Sequence, residues 1–275
     1  MERAAALRLF ELIGDDRQAQ DGKDVLITGL TADSRQVAPG YLFAALDGSR
    51  ARGADFIPEA LKNGAAAILA PPGTELGTDA PPHTILMTDE APRRRFAELA
   101  ARFFSHQPET IAAVTGTNGK TSTATFLREL WRGTGDKAAS LGSLGVEGDG
   151  PTSAAALTTP GPVTLHRALA ALAEAGVEHC VLEASSHGLD QYRLDGIKVS
   201  AAAFLNLTRD HLDYHGDEAT YLAAKARLFT EVIAPGGAAV LNAEAPQSAL
   251  LEELCQARGH RILRFGGVGV EIRLL

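Results

Sequence analysis

The residues best able to do chemistry in this chain follow two closely spaced glycines, in Ile111–Leu130, IAAVTGTNGKTSTATFLREL. Gly116 and Gly119 bracket a tight turn that holds Thr117 and Asn118, and Lys120, Thr121 and Ser122 come next. An apolar run, Ile111 to Val114, leads in and a helical pattern leads out. That context suits phosphate. A buried strand delivers the turn, glycines let backbone N–H groups approach phosphate oxygens, and the N-terminus of the next helix adds roughly half a positive charge. Lys120 would bridge the outer phosphates, and the Thr121 hydroxyl would take a place on a magnesium ion. The strict spacing G-x-x-x-x-G-K-[ST] fails, because Val114 stands where its first glycine belongs. An ordinary Gly-Asn turn is the plain alternative; the flanking strand and helix favour the phosphate loop.

Two further apolar runs end in reactive side chains. Glu183, Ser185, Ser186 and His187 follow Cys180–Leu182, and Asp210, His211 and His215 follow Ala201–Leu205. In an open parallel sheet, ligands sit beyond the carboxyl ends of the strands, so three polar clusters converge on one edge. Glu183 and His211 suit divalent ions, and beside phosphates magnesium or manganese is the sensible choice. Taken singly, Glu183 is a helix cap or a surface charge, and His215 before Gly216 is a turn residue.

The elements that must position these groups form an α/β chain. From residue 108 to 275, apolar runs at Ile111–Val114, Cys180–Leu182, Ala201–Leu205, Ala238–Leu241 and Ile262–Phe265 alternate with helical stretches. This predicts a P-loop-type domain with a mainly parallel sheet and helices on both faces. Residues 1–107 read as a smaller N-terminal α/β domain with helices near Ala4–Leu12, Ile57–Asn63 and Arg95–Phe104, and Ser105–Thr110 reads as a linker. A net charge of -8 argues against a broad nucleic-acid surface. The run Arg93, Arg94, Arg95 reads as a solvated helix face. No apolar run approaches membrane-spanning length, and charges interrupt the apolar N-terminus, so membrane insertion and a secretory signal are not expected. With two cysteines, Cys180 and Cys255, the chain fits a reducing, cytoplasmic compartment.

Five segments together resemble the Mur ligases of peptidoglycan synthesis, most closely the members that add the third amino acid. They are DSRQVAPGYLFAALDG from Asp33, VTGTNGKTST from Val114, TTPGP from Thr158, EASSHGLDQYRLDG from Glu183 and NLTRDHLDYHGDEATYLAAKARLF from Asn206. The resemblance covers about residue 30 to residue 245, in family order, and the family's ATP loop has this shortened glycine pattern. It implies an ATP-dependent ligase acting on UDP-MurNAc-L-Ala-D-Glu. ATP would phosphorylate the D-glutamate carboxylate, and a diamino acid, meso-diaminopimelate or L-lysine, would displace the phosphate to form the amide. By carry-over, Gly116 to Ser122 hold ATP; Thr121 and Glu183 hold the first magnesium and His211 a second; Thr158, Thr159, Ser185, Gln191 and Arg193 hold the UDP-MurNAc-dipeptide. Ser34 matches a uridine-binding serine, which makes residues 1–107 the UDP-MurNAc-binding domain. A monomer is the family expectation.

Lys225 also comes from the resemblance. Read as a residue, it is a helical lysine that would ordinarily be solvated; in the family the matching lysine is carbamylated and ligates magnesium. The reaction needs a neutral amine, so burial or a neighbouring cation must lower its pKa, and Arg227 is the cation nearest in sequence. The chain stops before the family's C-terminal, amino-acid-binding domain. Two expectations follow: a ligase complete in its ATP and UDP-sugar sites, or a truncated, non-catalytic module that binds both without forming the amide. An unfinished sheet would leave an apolar edge exposed.

Overall fold

The structure, a computed structural model, describes residues 6–14, 24–48, 51–267 and 270–273. The chain divides into two compact units, Met1–Ser105 and His106–Leu275.

In the first unit the strands are β1 (Leu7–Arg8), β2 (Leu26–Ile27), β3 (Gly29–Thr31), β4 (Tyr41–Ala44), β5 (Ala67–Ala70) and β6 (Ile85–Thr88), and the helices α1 (Leu9–Ile13), α2 (Ile57–Lys62) and α3 (Pro92–Phe103). β3-β4-β5-β6 form a parallel sheet, and β1 pairs with β2 antiparallel. β5 is buried along its length, as its unbroken apolar run requires of a parallel strand. Both longer helices open on a proline in the first turn, where its fixed φ and missing donor cost nothing. Of the expected Ala4–Leu12 helix, positions 4 and 5 lie outside the described residues. The arginine run departs from a solvated face at Arg95, whose side chain is 11% exposed and donates to the Ile13 carbonyl at 3.2 Å. Arg93 likewise donates to the Asp47 carbonyl.

The second unit runs β7 (Thr110–Thr115), α4 (Lys120–Thr134), β8 (Ala138–Gly142), β9 (Gly145–Gly148), α5 (Pro162–Glu174), β10 (His179–Glu183), α6 (Ser186–Asp190), β11 (Val199–Phe204), α7 (Leu212–His215), α8 (Glu218–Arg227), β12 (Ile233–Asn242), α9 (Ser248–Ala257), β13 (Arg261–Gly266) and β14 (Ile272–Arg273). The sheet order is β14-β13-β12-β11-β7-β10-β8-β9, parallel throughout except for the β8–β9 pair. Each of the five expected runs is a strand. The β8–β9 hairpin is additional.

β7 lies between β10 and β11, and the chain leaves it first toward β8 and later returns to the other side at β11. This reversal opens a crevice at the carboxyl ends of the three central strands. One face packs Ile111, Leu165, Leu182, Phe204, Leu241 and Leu251 into the main core; the other seats α4 on Ala112, Val114 and Val181 through Ala124. Leu127 and Trp131 of α4 pack against this buried cluster, while Ala201 and Ala203 of β11 are only partly buried and line an open cavity of about 650 Å³ with Phe126, Leu130 and Ile272. Cys180 and Cys255 are buried free thiols. Among the described residues no helix is long and apolar enough to cross a membrane.

Phe204 is fully buried at the end of β11. Phe204→Ala is expected to cost about 3–5 kcal/mol, read as a lower guanidinium midpoint of Trp131 fluorescence, since Trp131 is the one tryptophan and lies in this unit.

Candidate active site

β7 runs through Val114 to Thr115, pairing Val114 with Glu183 on one side and Ala203 on the other. Val114 is thus a buried strand residue, and the turn starts only at Gly116. Any Cβ on Gly116 would lie 3.0 Å from the Leu205 side chain, and Gly119 caps α4 at φ 87, a left-handed conformation glycine adopts freely. The turn is strapped to the segment after β11. Thr117 N–H donates to the Asn206 carbonyl at 3.0 Å, Asn118 N–H to Asn206 Oδ1 at 2.9 Å, and Thr208 N–H to Thr117 Oγ1 at 2.9 Å. Lys120 Nζ folds over the turn, donating to the carbonyls of Gly116 and Thr117, both at 2.9 Å. Burial lowers its pKa, opposed by Glu183 and Asp210.

Glu183 ends β10 and is 3% exposed. Its carboxylate accepts from Thr121 Oγ1 at 2.9 Å, from Ser143 N–H at 2.8 Å and from Ser143 Oγ at 3.3 Å. The preceding Gly142 makes room, because a Cβ there would sit 2.0 Å from Glu183 Oε1. Ser143 also meets Thr158, oxygen to oxygen, at 2.9 Å. Sequence reasoning missed Gly142 and Ser143; the short run Ala138–Leu141 ending in Gly-Ser was the available signal.

Thr159 is buried beside this carboxylate, its hydroxyl donating to the Glu183 carbonyl at 2.7 Å and accepting from Ser185 N–H at 3.0 Å. Ser185 caps α6. Arg193 donates to the Thr159 carbonyl at 2.6 Å and to Gln191 Oε1 at 2.7 Å, while Gln191 Nε2 donates to Tyr214 at 3.0 Å. Thr158, Thr159, Ser185, Gln191 and Arg193 therefore form one connected set with Glu183. His211 is half exposed, with its Nε2 3.6 Å from Asp210, and its ring lies 4.9 Å from that of His187, which also packs on Tyr214 at 4.1 Å. His215 is buried rather than a turn residue in solvent, and burial lowers the pKa of both His187 and His215.

Lys225 is 1% exposed. Its Nζ donates to the Gly116 carbonyl at 3.0 Å and stands 4.6 Å from the centre of the Tyr221 ring. Burial, helped by Lys120, lowers its pKa to about 7 against an opposing pull from Asp210. Lys120 is the depressing cation; Arg227 is instead taken up by Leu189, Asp195 and Glu231. An amine neutral near pH 7 can act as a nucleophile toward carbon dioxide.

The Mur ligase middle domain matches residues 114–271, more than half of the chain, and the Mur ligase family catalytic domain matches residues 26–103. The chain belongs to the Mur ligase family. It is 48% identical over 276 residues to the UDP-N-acetylmuramoyl-L-alanyl-D-glutamate--2,6-diaminopimelate ligase of Bradyrhizobium diazoefficiens, covering 98% of this chain and 55% of that protein. The ligase of the same name from Rhizobium meliloti is 48% identical over 254 residues, with 92% and 51% covered. A solved structure of an enzyme of that name superposes with a TM-score of 0.77 at 32% identity, covering 90% of this chain and 50% of its own. The chain spans about half the length of the curated relatives it matches.

The donors in this Mur ligase chain fit magnesium. A hydroxyl and a carboxylate, Thr121 and Glu183, already touch, and His211 lies on the same edge. Among the described residues no three His, Cys, Asp or Glu side chains are grouped to enclose a metal ion. Magnesium does not need such a cage, since it keeps waters and is completed by substrate phosphates. Ser34 lies in the other unit, where its hydroxyl donates to Glu59 and its carbonyl accepts from Asn63 at 2.9 Å, so a uridine there would compete with a carboxylate.

The folded chain keeps Lys225 neutral down to about pH 7, whereas an unfolded lysine holds its proton to about pH 10.4. Between those values the unfolded state binds the extra proton, so this site's contribution to stability rises with pH by about 1.4 kcal/mol per unit. In carbon-dioxide-free buffer, Lys225→Met should melt above the parent chain at pH 6, with the gap narrowing by pH 10; a constant gap in calorimetric Tm would contradict the lowered pKa.

Proposed function

We propose that this chain carries the ATP and UDP-MurNAc-dipeptide sites of a cytoplasmic, monomeric ligase that adds 2,6-diaminopimelate to UDP-MurNAc-L-Ala-D-Glu. The observation that carries the reading is the shared edge at which a phosphate loop, a buried carboxylate touching Thr121 and a buried, near-neutral lysine meet. The relatives' names supply the choice of diaminopimelate over lysine.

In this reading the backbone and side chains of Gly116 to Ser122 hold ATP, and Lys120 exchanges its two loop carbonyls for the outer phosphates. Phosphoryl transfer is chiefly positioning and charge stabilisation, so the site needs cations more than a nucleophile of its own. The D-glutamate carboxylate takes the terminal phosphoryl group and ADP leaves; the amine of the incoming amino acid then displaces phosphate from the acyl phosphate and loses a proton. Arg193, whose planar fork suits carboxylate or phosphate, joins Gln191, Ser185, Thr158 and Thr159 in orienting the UDP-MurNAc-dipeptide, with Ser34 on the uridine. Lys225 Nζ bonds to the carbon of carbon dioxide and releases a proton, which turns a cation into a carboxylate-like ligand. Magnesium, held by Thr121, Glu183, His211 and the Lys225 carbamate, would neutralise charge on the transferring phosphoryl group.

A second reading is that residues 1–275 bind ATP and the UDP-MurNAc-dipeptide without forming the amide. Incubation with ATP, magnesium and UDP-MurNAc-L-Ala-D-Glu, with and without meso-diaminopimelate, separates the two. A tripeptide nucleotide in the mass spectrum supports the ligase; binding with no new amide supports the second reading. Lys120→Ala should abolish any ATP hydrolysis, and hydrolysis that survived would refute the phosphate-loop assignment. Gly142→Ala should displace Glu183 and weaken magnesium-dependent ATP binding at least tenfold by calorimetry, with the circular dichroism spectrum retained.

A further inference from the structure

Arg227 stands two residues beyond Lys225 on α8, yet its guanidinium serves a different part of the site. Nε donates to Glu231 at 3.1 Å, one terminal nitrogen donates to the Leu189 carbonyl, and the other reaches both Asp195 oxygens at 3.2 and 3.3 Å and Glu231 at 3.0 Å. Its carbon lies 4.0 Å from the centre of the Tyr192 ring. The arginine side chain is 13% exposed and that of Asp195 7%, so the pair is largely shielded from water.

The segment so gripped contains a conformation that its sequence disfavours. Tyr192 has φ 58, the left-handed region that a bulky aromatic residue rarely enters unless its surroundings hold it there. The turn around it is closed by Tyr192 N–H to the Leu189 carbonyl at 3.1 Å, Arg193 N–H to the Gly188 carbonyl at 2.9 Å and Asp195 N–H to the Tyr192 carbonyl at 3.2 Å. Buried His166, whose pKa burial lowers to about 4, is neutral and donates to the Asp195 carbonyl at 3.1 Å. The left-handed residue separates Gln191 from Arg193, the two side chains that meet each other at 2.7 Å.

We propose that Arg227 is a positioning residue for the anion-binding arm. By holding Leu189, Tyr192 and Asp195 at once, it sets Gln191 and Arg193 for an anionic sugar-nucleotide peptide and ties that arm to the helix carrying Lys225. The ligand class rests on the proposed function; the mechanical role does not. Lysine cannot replace it, because one ammonium lacks the planar fork that spans a carbonyl and two carboxylates and lies flat on a ring.

The test compares the parent chain with Arg227→Lys and with Arg227→Lys/Tyr192→Gly. Arg227→Lys should weaken calorimetric binding of UDP-MurNAc-L-Ala-D-Glu at least fivefold while leaving Mg-ATP binding within twofold. It should also speed hydrogen exchange at the Tyr192, Arg193 and Asp195 amides and leave that of Thr123, bonded to Gly119, unchanged. Glycine adopts the left-handed turn without strain, so the double variant should recover at least half of the lost affinity. Unchanged exchange at residues 192–195, or an equal loss of both ligands, overturns the inference. If the parent chain binds no UDP-MurNAc-dipeptide, the ligand reading fails by itself, and the exchange comparison still decides the role of Arg227.

Discussion

A carboxylate sunk at the end of the central sheet is the constraint on which the ligand-facing edge depends. Buried polar groups are costly without partners, and Glu183 draws its partners from three separate places. Thr121 belongs to α4, Ser143 to the turn after β8, and Thr159, on the Glu183 carbonyl, to the loop before α5. Each of these elements is therefore located by reference to one residue on β10, two of them through its carboxylate and the third through its backbone carbonyl. The same dependence explains the lack of a side chain at Gly142, since any methyl there would take the space of the carboxylate.

Across the crevice the balance of charge is reversed. Lys120 and Lys225 both donate to the carbonyl of Gly116, an arrangement that crowds two amines around one neutral acceptor. Burial disfavours the charge on both, and each would gain from an anion. The edge is thus poised between an excess of acceptors at Glu183 and an excess of donors at Gly116. A divalent cation complements the Glu183 half and phosphate the Gly116 half.

Much of this edge was legible in the sequence because it is local. The turn glycines, Lys120, Thr121 and the strand before them lie within a dozen residues, and the other polar clusters follow their strands directly. Depth was not legible. Lys225 reads as a solvated helical lysine, because α8 shows its buried side only once it packs against the Gly116–Gly119 turn, with Tyr221 of the preceding helical turn under the amine. Arg95 misleads in the same way, its stem covered while its tip reaches a carbonyl at the end of α1. Arg227 was misassigned because closeness in sequence to Lys225 does not decide what a long side chain reaches. Ser143 escaped because its role arises from a hairpin whose strands are short and rich in small residues.

The two sides of α4 carry a consequence for how this sheet can vary. Beneath the helix, Ala112, Val114 and Val181 are buried with its Ala124, and overpacking such positions costs roughly 1–3 kcal/mol. Larger side chains there would press on the element whose first residue is Lys120. Beside it, Ala201 and Ala203 of β11 are only partly buried and line an open cavity of about 650 Å³ with Phe126, Leu130 and Ile272. Side chains on that flank can grow into the cavity without lifting the helix. Drift in size is therefore resisted under α4 and tolerated along its β11 side.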